Sequence, residues 1–193
     1  MSEPADSLRA DALAIWRAAL DAVRPRDLVR SALSDPALGI SDAIHKSRRI
    51  IVVGAGKAGS AMAEAVEQAL GNDLPHIEGW VNVPAETSRP LRKIHLHPAR
   101  PAGSNQPTAE GVSGSQAILD LVQRAGANDL LLCLFSGGGS APLPAPVEGI
   151  TLEDKQAATR APHACGATIG EMNAVRKHLS RIKGGRLAEA FGG

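Results

Sequence analysis

A chain of 193 residues, 44% hydrophobic and 21% charged, is long enough to bury a full core. Its 21 Lys and Arg against 20 Asp and Glu argue against disorder driven by charge and against a nucleic-acid partner. No apolar run approaches the roughly 20 residues needed to cross a bilayer, and the acidic start MSEPADSLRADALA lacks the basic and apolar regions of a secretory leader, so the sequence reads as cytoplasmic with no membrane partner.

In chain order, Leu8, Ala12, Ile15, Trp16, Ala19, Leu20 and Val23 recur at helical spacing, which predicts an amphipathic helix over 5–24 that Pro25 ends. A second helix is expected over RDLVRSALS. The basic patch HKSRR then leads into IIVVGAG, too short for a helix and rich in β-branched residues, hence a strand buried on both faces. Good helix formers over 58–70 follow, closed by Gly71. HIEGWVNVP and PLRKIHLHP read as two further strands, PARPAGSNQP as a loop, and 108–124 as a helix ending at Gly126. NDLLLCLF is a continuous apolar run, expected to be a buried strand, which enters SGGGSAPLPAP. Thr151 with Asp154, and Thr168 with Glu171, carry the spacing of helix starts. Strands that alternate with Gly-rich turns and helices predict an α/β, three-layer Rossmann-like domain with a mainly parallel sheet, whose crevice lies at the carboxyl ends of the strands.

Both glycine-rich turns fall at that crevice. Gly54, Gly56 and Gly59 have the spacing of a dinucleotide fingerprint, in which the backbone approaches a phosphate and the next helix presents its N-terminus. Lys57 stands inside the motif and supplies a point charge suited to a transferring phosphoryl group. An NAD site also wants an acidic residue at the end of the second strand. Glu78 has about the right separation but precedes GWVNV, at the strand's start, which weakens that alternative.

Ser136, Gly137, Gly138, Gly139 and Ser140 form the second turn. Three consecutive glycines carry an entropic cost that a simple connection avoids, and successive N–H groups make an anion nest to which the two serines add hydroxyls. Further on, Asn173, Arg176 and Lys177 occupy i, i+3 and i+4 positions of a helix face, with Arg181 and Lys183 beyond, a candidate clamp for carboxylate or phosphate oxygens. Cys133 and Cys165 have no metal-ligand spacing and read as small buried hydrophobes in a reducing compartment. His95 and His97 share a strand face, but no further ligand lies near them in sequence.

Taken together, VVGAGKAGSAMAEA, FSGGGSAPLPAPVEGITLEDKQAATR and GATIGEMNAVRKHLSRIKGGRLA resemble, in the same order, the motifs of the class II glycerate kinases, the glycerate 2-kinases that usually carry a MOFRL domain. The resemblance runs from about Leu13 over nearly the whole chain. It implies phosphorylation of D-glycerate at its 2-hydroxyl with ATP and Mg²⁺ or another divalent cation, with Lys57 catalytic. It also implies that the 136–140 turn, with Asn173, Arg176, Lys177, Lys183, Gly184 and Gly185, lines the family's interdomain cleft. A homo-oligomer is compatible with it.

Some members of that family bear the label hydroxypyruvate reductase, which keeps an NAD-dependent reading as the lesser alternative. Three departures stand out. Many members have His-Pro-x-Pro-Asp where this chain reads His97, Pro98, Ala99, Arg100 and Pro101; Pro162, His163 and Cys165 replace leucines and a serine before Gly166; and members are much longer. The resemblance therefore implies that 1–193 is the N-terminal domain without the MOFRL domain. The competing expectation is an incomplete piece that binds ligand or partner without turnover.

Overall fold

The central strand is β1 (Arg49–Ala55), whose residues from Ile50 to Ala55 are all buried in the computed structural model, which describes residues 3–71, 76–103, 106–164 and 166–192. It pairs in parallel with β2 (Ile77–Pro84) on one side and β4 (Asp129–Phe135) on the other, with Val52 beside both Gly79 and Leu132. Beyond β2 lies β3 (Ile94–Arg100), giving the order β3-β2-β1-β4. Alternation along β1 sends Ile50 and Val52 to one core and Ile51, Val53 and Ala55 to the other. Each fully buried Val or Ile contributes roughly 1.5–3 kcal/mol.

Helices cover both faces. Residues of α2 (Pro25–Ser34), α3 (Ile40–Lys46) and α4 (Gly59–Leu70) pack on the first core. Ile118, Leu119, Leu121 and Val122 of α5 (Ala109–Gln123) pack on the second, with Leu143, Ala145 and Ile182 and with Leu187 of α8 (Arg186–Glu189). Between α5 and α8 come α6 (Leu152–Ala164) and α7 (Ile169–His178). Both begin as their sequences predict: Thr168 and Glu171 form a reciprocal capping box, and Thr151 and Asp154 bond each other's backbone N–H at 3.0 Å. Pro162 does not end α6, which runs on to Ala164.

The expected three-layer α/β architecture with a parallel sheet is what the chain adopts. Its chain path runs outward from β1 through β2 to β3, then returns through α5 to place β4 on the other side of β1. The carboxyl ends of β1 and β4 thus form a topological switch point, where ligands bind in open α/β sheets. Instead of a helix, only a short 3-10 turn (Ala85–Thr87) links β2 to β3. The Glu67 carboxylate of α4 fixes that link by accepting the N–H groups of Arg92, Lys93 and Ile94 at 2.9, 2.6 and 2.8 Å.

Three sequence expectations need correction. NDLLLCLF forms a strand, but one that is half-exposed and, among the described residues, at the edge of the sheet, because the chain path and not composition decides which strand is central. Cys133 on it is a free and exposed thiol, not a buried hydrophobe; Cys165 lies outside the described residues. The first helix, α1 (Glu3–Ala22), forms, yet Ile15 and Trp16 on it are 71% and 58% exposed, so its apolar side packs on no described core.

Candidate functional site

The two glycine-rich turns clasp each other. The Lys57 N–H donates to the Gly137 carbonyl at 3.2 Å, the Ala58 N–H to Ser136 Oγ at 3.0 Å, and the Ser136 N–H to the Ala55 carbonyl at 3.2 Å. Gly56 has φ +132°, open only to glycine, and a side chain there would run into Ser136 Oγ and approach the Ser136 carbonyl oxygen to 2.8 Å. Ser136 is thus partly an architectural residue, its hydroxyl accepting from the first loop. Asn82, fully buried at the end of β2, completes the clasp: its amide donates to the Pro142 carbonyl at 2.7 Å and its backbone carbonyl accepts from the Gly56 N–H at 3.2 Å. Sequence reasoning missed Asn82, whose partners at Gly56 and Pro142 lie in loops distant in sequence.

Around this clasp the predicted residues fall into two groups. Gly56 and Lys57 meet the 136–140 turn directly, and a side chain on Gly138 would lie 3.6 Å from Lys57 Cε, whereas Gly54 packs against Leu134 of β4 and Gly59 against Val81 and Val83 of β2. The later segment reaches the same place through Lys183, whose ammonium donates to the Ser140 carbonyl at 2.8 Å and to Ser140 Oγ at 2.5 Å. That segment is held by an antiparallel bridge between Pro146 and Ser180 and by Arg186, which donates to the carbonyls of Lys177, His178 and Ser180. Gly184 and Gly185, at φ +70° and +94°, turn the chain into α8, with Lys177 packed beside Gly184. Lys177 and Asn173 are exposed on α7, whereas Arg176 is half-buried.

Arg176 belongs to a cationic cluster that the sequence did not reveal in full. Lys155 of α6 is only 6% exposed and donates to the Leu179 carbonyl at 2.9 Å. Burial, then repulsion from Arg176, lowers its pKa. Lys183 is pushed down to about 8 by burial first, and then by Lys155 and Arg176. Three cations gathered beside the nest favour an anionic ligand.

On the other side of Lys57 lies a hollow of about 400 Å³, lined by Lys57, Pro84, Glu86, Thr87, Arg100 and Gly103. Arg100, the last residue of β3, is 4% exposed. The wall at Thr87 is pinned to the first turn of α4, where Ser60 Oγ donates to the Thr87 carbonyl at 2.8 Å. A larger hollow of about 670 Å³ between α2, α3 and α4 includes neither glycine-rich turn.

Two further sequence candidates resolve differently. Glu78 lies beside Ile51 near the start of β2, with an oxygen 3.3 Å from Arg124, at the opposite end of the sheet from the crevice. His95 and His97 stack against Trp80, with ring centroids 4.2 and 5.3 Å away, and His97 Nε2 lies 2.8 Å from the Glu110 carbonyl. Among the described residues, no group of three or more His, Cys, Asp and Glu could hold a metal, and no helix is long and apolar enough to cross a membrane.

Residues 11–192 match a family described as a domain of unknown function, DUF4147. Glycerate kinase from Homo sapiens is 40% identical over 95% of this chain and 38% of its own length. D-glycerate 2-kinase from Thermotoga maritima is 35% identical over 95% of this chain and 41% of its own. A relative from Agrobacterium vitis, named putative hydroxypyruvate reductase, is 40% identical over 82% of this chain and 36% of its own. The crystal structure of a glycerate kinase from Thermotoga maritima superposes with a TM-score of 0.80 at 34% identity, over 96% of this chain and 42% of that one. The chain thus spans about two fifths of the length of these relatives.

Proposed function

The chain belongs to the DUF4147 family, and on that premise we propose that it is the N-terminal α/β domain of a glycerate 2-kinase, transferring the terminal phosphoryl of ATP to the 2-hydroxyl of D-glycerate. The observation that carries this is the clasp at the switch point, where Lys57, its turn's own N–H groups engaged by Asn82, Gly137 and Ser136, and the 136–140 turn meet the Lys155, Arg176 and Lys183 cluster. A polyphosphate suits the second turn and the cations beside it. The names borne by the human and Thermotoga relatives agree with it.

In this reaction ATP and glycerate become ADP, 2-phosphoglycerate and a proton. The 136–140 turn and the cationic cluster hold the phosphates, and Lys57, on the first turn and reaching over Gly138, offsets charge developing on the transferred group. Phosphoryl transfer depends chiefly on such positioning and charge stabilisation. A divalent cation, Mg²⁺ by expectation, has no carboxylate cluster to hold it among the described residues, so no step of this chain's chemistry is assigned to it.

The NAD-dependent reading has the name of the Agrobacterium relative in its favour. Against it, Glu78 is at the wrong end of β2 and faces Arg124, while the residue at the crevice end, Asn82, is committed to Pro142 and Trp80. Isothermal titration with ATP–Mg and with NADH separates the readings, followed by a coupled ADP-release assay with D-glycerate. Binding of NADH without binding of ATP would reverse the assignment. Binding of ATP with no ADP released would leave a domain that binds ligand without turnover.

A further inference from the structure

Alternation along β2 puts Trp80 and Asn82 on the α5 face of the sheet, in register with His95 and His97 of β3. Asn82 is fully buried there, at a position where an apolar side chain would pack without the desolvation cost of an amide. Two hydrogen bonds fix its side chain. Its Oδ1 accepts from Trp80 Nε1 at 3.2 Å, and its Nδ2 donates to the Pro142 carbonyl at 2.7 Å. The reverse amide orientation would set NH2 against the indole N–H and oxygen against the Pro142 carbonyl, so the two partners allow one orientation. Helix α5 leaves the room for it. A side chain on Gly114 would run into Asn82 Oδ1 and His97, which accounts for glycine inside a helix that it weakens.

Pro142, itself fully buried, lies two residues past the 136–140 turn, and the Asn82 backbone carbonyl receives the Gly56 N–H at 3.2 Å. One residue therefore grips both glycine-rich turns, the first through its backbone and the second through its side chain. We propose that Asn82 is a positioning residue that holds the second turn in the shape it presents at the crevice, with the Trp80 indole as the donor that orients it. His95 and His97, with ring centroids 4.2 and 5.3 Å from that of Trp80, brace the indole from the neighbouring strand. A substitution at Asn82 releases the second grip and keeps the first, because the backbone carbonyl remains. That the turn holds phosphates rests on the kinase reading; that Asn82 fixes the turn's geometry does not.

The test is a double-mutant cycle of Asn82→Ala and Trp80→Phe in the whole chain, read without ligand by amide chemical shifts and with ATP–Mg by calorimetry, at a temperature where every variant is folded. Asn82→Ala should move the amides of Gly137 to Ser140 and weaken ATP–Mg binding by roughly tenfold, the scale of a buried carbonyl left without its donor. Trp80→Phe should act in the same direction by about threefold, because Asn82 stays but loses its orienting donor. Trp80 is half-buried, so this variant also serves if Asn82→Ala fails to fold. Since Trp80 acts through Asn82, the double variant should bind ATP–Mg no more weakly than Asn82→Ala alone. The Trp80 indole N–H resonance, identified by its loss in Trp80→Phe, should shift on ATP–Mg binding in the parent and stay still in Asn82→Ala.

Second-turn amides unmoved in both variants, or effects of the two substitutions that simply add, would overturn the proposal. So would a lower melting temperature with ATP–Mg affinity intact, which would make Asn82 a packing residue only. The kinase reading is judged apart from this. A parent that binds no ATP–Mg removes that reading, while the ligand-free shifts still decide on Asn82. ADP release with KM for ATP unchanged in both variants does the reverse: it leaves the kinase standing and removes this inference.

Discussion

Two neighbouring glycines separate what the site's architecture demands from what a ligand demands. Gly56 has φ +132°, and a side chain on it would collide with Ser136 Oγ and lie 2.8 Å from the Ser136 carbonyl oxygen. Gly56→Ala therefore incurs backbone strain of roughly 1–3 kcal/mol and overpacking of about 1–3 kcal/mol. Their sum is a large part of the ~5–15 kcal/mol that stabilises a typical domain. At about 2–4 °C per kcal/mol for a chain of this size, the melting temperature should fall by roughly 5–20 °C.

Gly137, by contrast, has no positive φ, and its side chain would meet no described residue within 4 Å. Gly137→Ala should stay within about 0.5 kcal/mol of the parent in stability. If the open space beside it is where phosphates approach, it should nonetheless lose affinity for ATP–Mg. Thermal melts by circular dichroism and isothermal titration with ATP–Mg measure the two effects on the same samples. A Gly56→Ala protein as stable as the parent, or a Gly137→Ala protein damaged as much as Gly56→Ala, would refute the reasoning.

Lys57→Ala should lower kcat for glycerate phosphorylation by roughly a hundredfold or more while changing KM for ATP less, the pattern of a group that acts on developing charge; steady-state ADP release checks it. Lys183, with a folded pKa depressed to about 8 from 10.5, is neutral in the fold and charged in the unfolded chain between those values, so its contribution to stability should rise with pH over that window. An anion bound beside it should lose affinity as pH rises through 8 and take up a proton on binding near that pH, which calorimetry in buffers of different ionisation enthalpy reads directly. Asp129, held down to about 2 by Arg49 and then by the Gly126 N–H, contributes stability that is present above 3.8 and lost as pH falls through 2. Asp129→Asn should thus be destabilised at pH 6 and lose most of that deficit by pH 2 in denaturant titrations. On the half-exposed edge strand β4, Cys133→Lys should reduce any self-association seen by light scattering, since a charge on an open edge opposes strand pairing.

What the sequence reveals here follows from how local each signal is. IIVVGAG announces a strand because β-branched apolar residues end at a turn, and β1 forms there. The capping pairs at 151–154 and 168–171 announce helices because both partners lie within one turn. The seven-residue α3 and four-residue α8 leave too short a period to register. Whether the apolar run of β4 is central or at an edge depends on the direction of the crossover from β3, a decision that its own residues do not encode.

The candidate site divides in the same way. Lys57 and the glycines stand out because their spacing is contiguous. Lys155 does not, because its cationic company arises where α6 meets a carbonyl 24 residues later, and Arg100 does not, because it lies in a proline-rich stretch that reads as loop. The three glycines of the second turn carry two distinct demands. A side chain on Gly139 would come within 2.9 Å of the Ala55 carbonyl oxygen, so packing between the turns is enough to require glycine there. Gly137 faces open space, so packing gives it no reason to be glycine. That residue is where the sequence's excess of backbone freedom has to be explained by something the chain approaches, not by the chain itself.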